Sequence, residues 1–153
     1  LDRLMYEDTR AFLREKGYER YEISNYAKPG YECRHNLSYW ERTDYKGFGL
    51  GAASLLKEVR YKNSTDLQEY LKGHFSYESI EPLSAKDALE EPMFLGLRKM
   101  KCIVLNDTIR SIYGKKIKTL TEEGLLWQSE NRLRLTDRGI DISNYVLSEF
   151  LLD

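Results

Sequence analysis

The densest group of chemically able side chains in the sequence is His35-Asn36-Leu37-Ser38-Tyr39-Trp40. An imidazole can ligate iron or shuttle a proton near neutral pH. The Asn36 carboxamide can hydrogen-bond a carboxylate or the second ring nitrogen, and Tyr39 and Trp40 offer flat surfaces on which a macrocycle can stack. The same string fits a packed loop in which His35 is merely hydrogen-bonded and the rings belong to the core, and spacing alone leans to that reading. Cys33 stands two residues ahead of His35, but no second ligand pair accompanies it. His74 and Cys102 are isolated and far off in sequence. A closed tetrahedral zinc site is therefore not expected, and both cysteines read as free.

Gly47-Phe48-Gly49-Leu50-Gly51 is the second candidate. It is no dinucleotide fingerprint, because no second βαβ unit with an acidic residue about 20 positions on follows it. The three glycines would let a backbone or a ligand come close, so a structural bulge and a ligand-facing strand fit equally well. A third group, Arg110, Lys115, Lys116 and Lys118, could surround a DNA-reading helix. Against it, Glu122 and Glu123 follow directly, and residues 87–153 carry 10 basic against 11 acidic residues. Base reading needs a phosphate-attracting field beneath it, so nucleic-acid binding is not expected.

The elements that must position these groups are constrained by composition. The chain has 153 residues with 24 Lys+Arg against 25 Asp+Glu, 41% hydrophobic and 32% charged. That balance excludes a polycationic arm and an acidic tail, and the apolar content excludes a disordered chain. No apolar run approaches the roughly 20 residues of a membrane span. The charged start, Leu1-Asp2-Arg3-Leu4, does not resemble a signal peptide. Two cysteines make no disulfide framework and suit a reducing compartment, so a cytoplasmic protein is expected. A first residue other than Met suggests a piece of a longer chain.

Along the chain, Leu4, Met5, Ala11 and Phe12 predict a helix over 2–16, stopped at Gly17. Tyr18–Ser24 alternates like a strand, and 25–42 reads as a long aromatic, irregular loop with a Pro29-Gly30 turn. A strand is expected over Tyr45–Leu56, and a short helix over 65–72 capped by Ser64 or Thr65. Residues 73–84 read as a linker, leading to a helix from about Ala85 to Met100 with Ser84 as N-cap and a kink or break at Pro92. Helices at 107–113 and 116–123, strands at 125–128 and 133–136, and a closing helix over 137–152 follow. Three helices, a hairpin and a last helix are the order of a winged helix. Three segments are expected: 1–60, a connecting segment 61–84, and a winged-helix-like domain 85–153.

Several strings taken together resemble one family. Residues 17–30 (GYERYEISNYAKPG), 34–40 (RHNLSYW) and 47–54 (GFGLGAAS), with Met93–Arg98 and Leu133–Gly139 further on, are similar to the oxygen-independent coproporphyrinogen III oxidase family. More narrowly they resemble its branch of radical-SAM haem chaperones. The resemblance implies an α/β fold: the last elements of a partial, TIM-like radical-SAM barrel, followed by the winged-helix-like α+β domain. It implies that the parent protein holds a [4Fe–4S] cluster on a CxxxCxxC motif and S-adenosylmethionine on the cluster's open iron. No such motif occurs here, and Cys33 and Cys102 cannot supply it. The chain would thus be a C-terminal portion that lacks the cluster, performs no radical chemistry alone, and meets the missing N-terminal barrel as a partner.

The resemblance also reverses the weighting of the aromatic string. In the chaperone branch the HNxxYW motif is associated with haem, which makes His35 the candidate axial ligand, with Asn36, Tyr39 and Trp40 around it and Gly47, Gly49 and Gly51 as further cofactor contacts. Haem or porphyrinogen is then the expected ligand and a haemoprotein the expected acceptor. At Ala53 the family's glycine string carries a histidine, and that departure weakens the alternative of an oxidative decarboxylase. No catalytic residue is assigned. A winged-helix nucleic-acid module is the third, non-enzymatic alternative.

Overall fold

A computed structural model describes residues 2–152 as a mixed α/β fold. The first helix, α1 (Asp2–Glu15), forms where expected. It ends because Gly17 takes φ +80°, which lets the Tyr18 N–H reach the Leu13 carbonyl (2.9 Å) and the Gly17 N–H that of Arg14 (3.0 Å). The expected strand over 18–24 is cut short. Only β1 (Glu19–Arg20) pairs, antiparallel, with β2 (Tyr26–Ala27). Beyond it the Ile23 N–H donates to the Arg98 carbonyl (3.0 Å) and the Met100 N–H to that of Tyr21 (3.0 Å). The backbone groups of this segment are thus satisfied by a distant part of the chain.

The irregular loop expected over 25–42 is corrected in its second half, where α2 (Arg34–Trp40) forms. The Pro29-Gly30 turn comes first, and the seven residues after Cys33 contain no helix breaker. None of them is buried, so no apolar period marked them. The strand expected over 45–56 shrinks to β3 (Ala53–Leu56), with Tyr45 paired singly to Leu55. Gly49 and Gly51 lie between at φ +92° and +65°, which no strand accommodates.

Two longer strands, of five and six residues, are not predicted from the sequence. β3 turns into β4 (Val59–Asn63) through Lys57 and Glu58, both at positive φ (+49° and +60°), so the tight hairpin lacks its usual glycine signal. The helix α3 (Leu67–Leu71) is capped by Asp66, which accepts from Gln68 and Glu69 N–H, and not by Ser64 or Thr65. The expected linker carries β5 (Tyr77–Pro82), completing an antiparallel sheet in the order β3–β4–β5.

Ser84 does cap α4 (Ala85–Gly96), in a reciprocal pair with Asp87. Pro92 stays inside the helix without ending it. A short β6 (Ile103–Val104) follows. Then the two helices expected between 107 and 123 are one, α5 (Asp107–Glu122). Ile109, Tyr113, Ile117 and Leu120 make a single buried stripe along it, and Gly114 is carried through. The strands β7 (Leu126–Ser129) and β8 (Arg132–Leu135) form the expected hairpin, and β6 joins them in the order β6–β8–β7. The closing helix is broken at Ile142 into α6 (Asp137–Asp141) and α7 (Ser143–Ser148). The core gathers here: Met93 of α4 and Leu97, its C-cap, pack with the α5 stripe, Leu133, Val146 and Phe150.

Ion pairs tie the two ends together. Glu91 of α4, 3% exposed, accepts from Arg42 Nε (2.8 Å) and from Arg60 of β4 (2.6 Å). Lys99 reaches Glu41 (3.0 Å), and Asp137 accepts from Arg10 (2.6 Å) and Arg20 (3.2 Å). Among the described residues no helix is long and apolar enough to cross a membrane.

Candidate functional site

The helix α2 presents His35 to solvent. One turn on, Tyr39 meets the His35 ring edge to face, with centroids 4.8 Å apart, and Tyr39 in turn meets Tyr45 the same way at 4.6 Å. The result is a ladder of three rings that begins at the imidazole. The end of the helix is tied down locally: Ser38 Oγ donates to the His35 carbonyl, and Thr43 Oγ1 and N–H donate to that of Ser38. Asn36 is half-buried beside them.

Trp40, the last member of the motif, lies elsewhere. Its ring stacks against the Arg98 guanidinium (4.4 Å to the centroid) at the end of α4. The helical step of about 100° per residue sends positions 39 and 40 to different faces, so the structure brings His35 and Tyr39 together and sets Trp40 apart. Cys33 precedes the helix, exposed and free, and Cys102 is also free.

The glycines are explained first by backbone. A Cβ on Gly47 would sit 2.2 Å from the Ala53 carbonyl oxygen, so only glycine lets these segments touch there. Gly49 and Gly51 hold positive φ. The loop is pinned by the Asn63 side chain donating to the Gly49 carbonyl (2.8 Å) and the Gly51 N–H donating to that of Ser64 (3.1 Å). Gly47 and Gly49 also line a cleft of about 340 Å³ whose other walls include Phe48, Tyr70, His74, Phe75 and Tyr77. His74, isolated in sequence, is thus brought to the glycine loop. Tyr45 and Lys46 are neighbours in extended chain and point to opposite sides of the sheet. Tyr45 meets the His35 ladder, whereas Lys46 donates to the Tyr77 hydroxyl (2.7 Å) at the cleft. The His35 group and the glycine cleft therefore occupy opposite faces.

Arg42, Arg60 and Glu91, which brace α2 and the sheet against α4, were not singled out in the sequence. The one available signal was the pair Glu90-Glu91 interrupting an apolar helical stretch. Among the described residues no group of three or more His, Cys, Asp or Glu could hold a metal ion. Two separate cysteines do not fit an iron–sulfur cluster. An exposed imidazole braced by an aromatic edge does fit axial ligation of a haem iron.

The family model described as the HemN C-terminal domain matches residues 83–142. Over 97% of its length the chain is 38% identical to the heme chaperone HemW of Lactococcus lactis subsp. lactis (strain IL1403). The chain is thus similar to HemW proteins over nearly its whole length, and its residues 83–142 match the HemN C-terminal domain. It is also 34% identical to the heme chaperone HemW of Bacillus subtilis (strain 168), with 96% of the chain matched. The chain spans 42% of the length of each of these HemW relatives. Among solved structures it is similar to coproporphyrinogen III oxidase (HemN) from Escherichia coli, described as a radical SAM enzyme. The TM-score is 0.70 at 16% identity, over 95% of this chain and 39% of that one. At that identity the likeness is one of fold alone.

Proposed function

We propose that this chain serves a radical-SAM protein of porphyrin and haem metabolism as its haem-binding, chaperone-like portion, with His35 as the iron ligand. The observation that carries the reading is the exposed His35 imidazole with Tyr39 packed edge-on against it, in a chain 38% identical to a protein named heme chaperone. Tyr39 limits the ring's rotation, and exposure leaves its outer nitrogen open to a metal. Trp40 acts on the ligand only through the position of α2. The longer protein would bind S-adenosylmethionine and a [4Fe–4S] cluster on the barrel preceding this chain, with residues 1–60 as the barrel's closing elements. Residues 85–153 read as winged-helix-like, supported by the order α4–β6–α5 followed by the β7–β8 hairpin. The expected partners are haem, the preceding barrel and a haemoprotein acceptor in the cytoplasm.

Hemin titration followed at the Soret band tests the ligand. The His35→Ala variant is expected to lose a tightly bound hemin, and titrations identical to those of the unaltered chain would overturn the assignment. The second reading is oxidative decarboxylation of coproporphyrinogen III. The fold likeness to HemN favours it, whereas Ala53 in place of histidine counts against it. Anaerobic turnover by the longer protein separates the two: a decarboxylated porphyrinogen supports the oxidase, and haem transfer without decarboxylation supports the chaperone.

A further inference from the structure

We propose that the cleft between the glycine loop and the chain returning from α3 to β5 is a second tetrapyrrole site, with His74 Nε2 as its iron ligand. The inference rests on the haem-handling reading for the identity of the ligand, but on different residues and a different face of the sheet.

Four features converge on it. The cleft's volume, about 340 Å³, lies within the usual range of ligand pockets. Its rim carries two phenylalanines left in water, Phe48 (85% exposed) and Phe75 (76% exposed), with Tyr70 packed against Phe75 at 5.3 Å. Exposed aromatic rings gathered at one concavity mark a surface for a flat apolar partner.

The imidazole is prepared as a ligand. His74 Nδ1 lies 2.8 Å from Glu69 Oε2, which leaves Nε2 as the free nitrogen. Metal-binding histidines characteristically tie their other ring nitrogen to a carboxylate in this way, which sets the tautomer and the ring's orientation. The backbone builds the pair. Gly73 at φ +80° turns the chain so that the His74 N–H donates to the Glu69 carbonyl (2.9 Å), which places the imidazole over the carboxylate of the same residue. Lys72 also donates to Glu69, at 2.7 Å from its Oε1.

The charges suit a macrocycle with carboxylates on its edge. Lys46 lies beside Tyr77, its ammonium 5.0 Å from the ring centroid, and can meet a propionate-like group. Asp66, the acid on the lining, is engaged in capping α3. A nucleotide fits less well, because Gly47 and Gly51 already donate their N–H groups to Ser54 Oγ and the Ser64 carbonyl, and a phosphate cradle needs such donors free. His35 lies across the sheet, so the two imidazoles serve separate irons.

Hemin is titrated into the chain, His35→Ala, His74→Ala and the double variant, with stoichiometry read at the Soret band and folding checked by circular dichroism. Two hemins are expected for the unaltered chain, one for each single variant and none for the double. Glu69→Gln in the His35→Ala background is expected to weaken the remaining hemin by about 10–100-fold. If His74→Ala titrates like the unaltered chain, the second site is overturned and the His35 reading stands. If His35→Ala is unchanged while His74→Ala loses its hemin, the cleft stands and the His35 assignment falls. If the unaltered chain takes no hemin, both fall.

Discussion

The Arg98 guanidinium lies over the Trp40 ring, 4.4 Å from its centroid, and each residue keeps a buried nitrogen, Trp40 Nε1 and Arg98 Nε, without a hydrogen-bond partner. The contact bolts the end of α2 to the end of α4, where Lys99–Glu41 and Glu91–Arg42 lie close in sequence. Trp40 thus packs towards α4, away from the His35–Tyr39 ring pair.

Trp40→Ala is expected to cost about 2–4 kcal/mol, somewhat less than a fully buried aromatic, because the ring is half-buried. Trp40→Phe should keep most of the stability and the hemin spectrum. Urea unfolding with a parallel Soret measurement checks both. A Phe variant of unchanged stability that no longer takes hemin would assign the indole to the ligand instead.

Glu91→Ala leaves Arg42, whose side chain is 13% exposed, without its buried carboxylate. Breaking a buried pair costs about 3–5 kcal/mol. Here about 2–4 kcal/mol is expected, because Arg60 is partly solvated and Glu58 still accepts from Arg42. Chemical denaturation should show the loss, and a change below 0.5 kcal/mol (about a twofold change in the folding constant) would refute the brace.

Tyr113 is fully buried against Phe150, and its hydroxyl has no partner. Tyr113→Phe is expected to raise stability by about 1 kcal/mol, since an unsatisfied buried hydroxyl is removed without leaving a hole. Burial first, and then Glu90, pushes the phenol's pKa upward. A raised folded-state pKa contributes stability that is present below the unfolded value of about 10 and lost as pH rises beyond it. The alkaline limb of a stability–pH profile should therefore be shallower in Tyr113→Phe, with the acid limb unchanged.

Two glycines with opposite surroundings make a matched pair. A Cβ on Gly139 would sit 2.0 Å from the Leu125 carbonyl oxygen, whereas one on Gly114 within α5 meets nothing within 4 Å. Gly139→Ala is expected to cost about 3 kcal/mol or more, and Gly114→Ala to stabilise by about 0.5–1 kcal/mol. Thermal melts of the two variants should move in opposite directions.

Legibility followed range. The Ser84 cap, the end of α1 at Gly17 and the β7–β8 hairpin were readable because each is decided within a few residues. The single α5 was misread at Gly114, where four buried side chains along one stripe outweigh one poor helix former. β4 and β5 passed unseen because charged and polar residues cover them and their pairing is with each other. At the candidate site, the residue types from His35 to Trp40 and the three glycines were plain from sequence alone. That Trp40 leaves the motif for Arg98, that Glu91 pairs with Arg42 and Arg60, and that His74 joins the glycine loop were decided only by the tertiary structure. Local hydrogen bonds depend on neighbours in the chain, whereas stacking, ion pairing and cleft formation depend on which distant segments the packed core brings side by side.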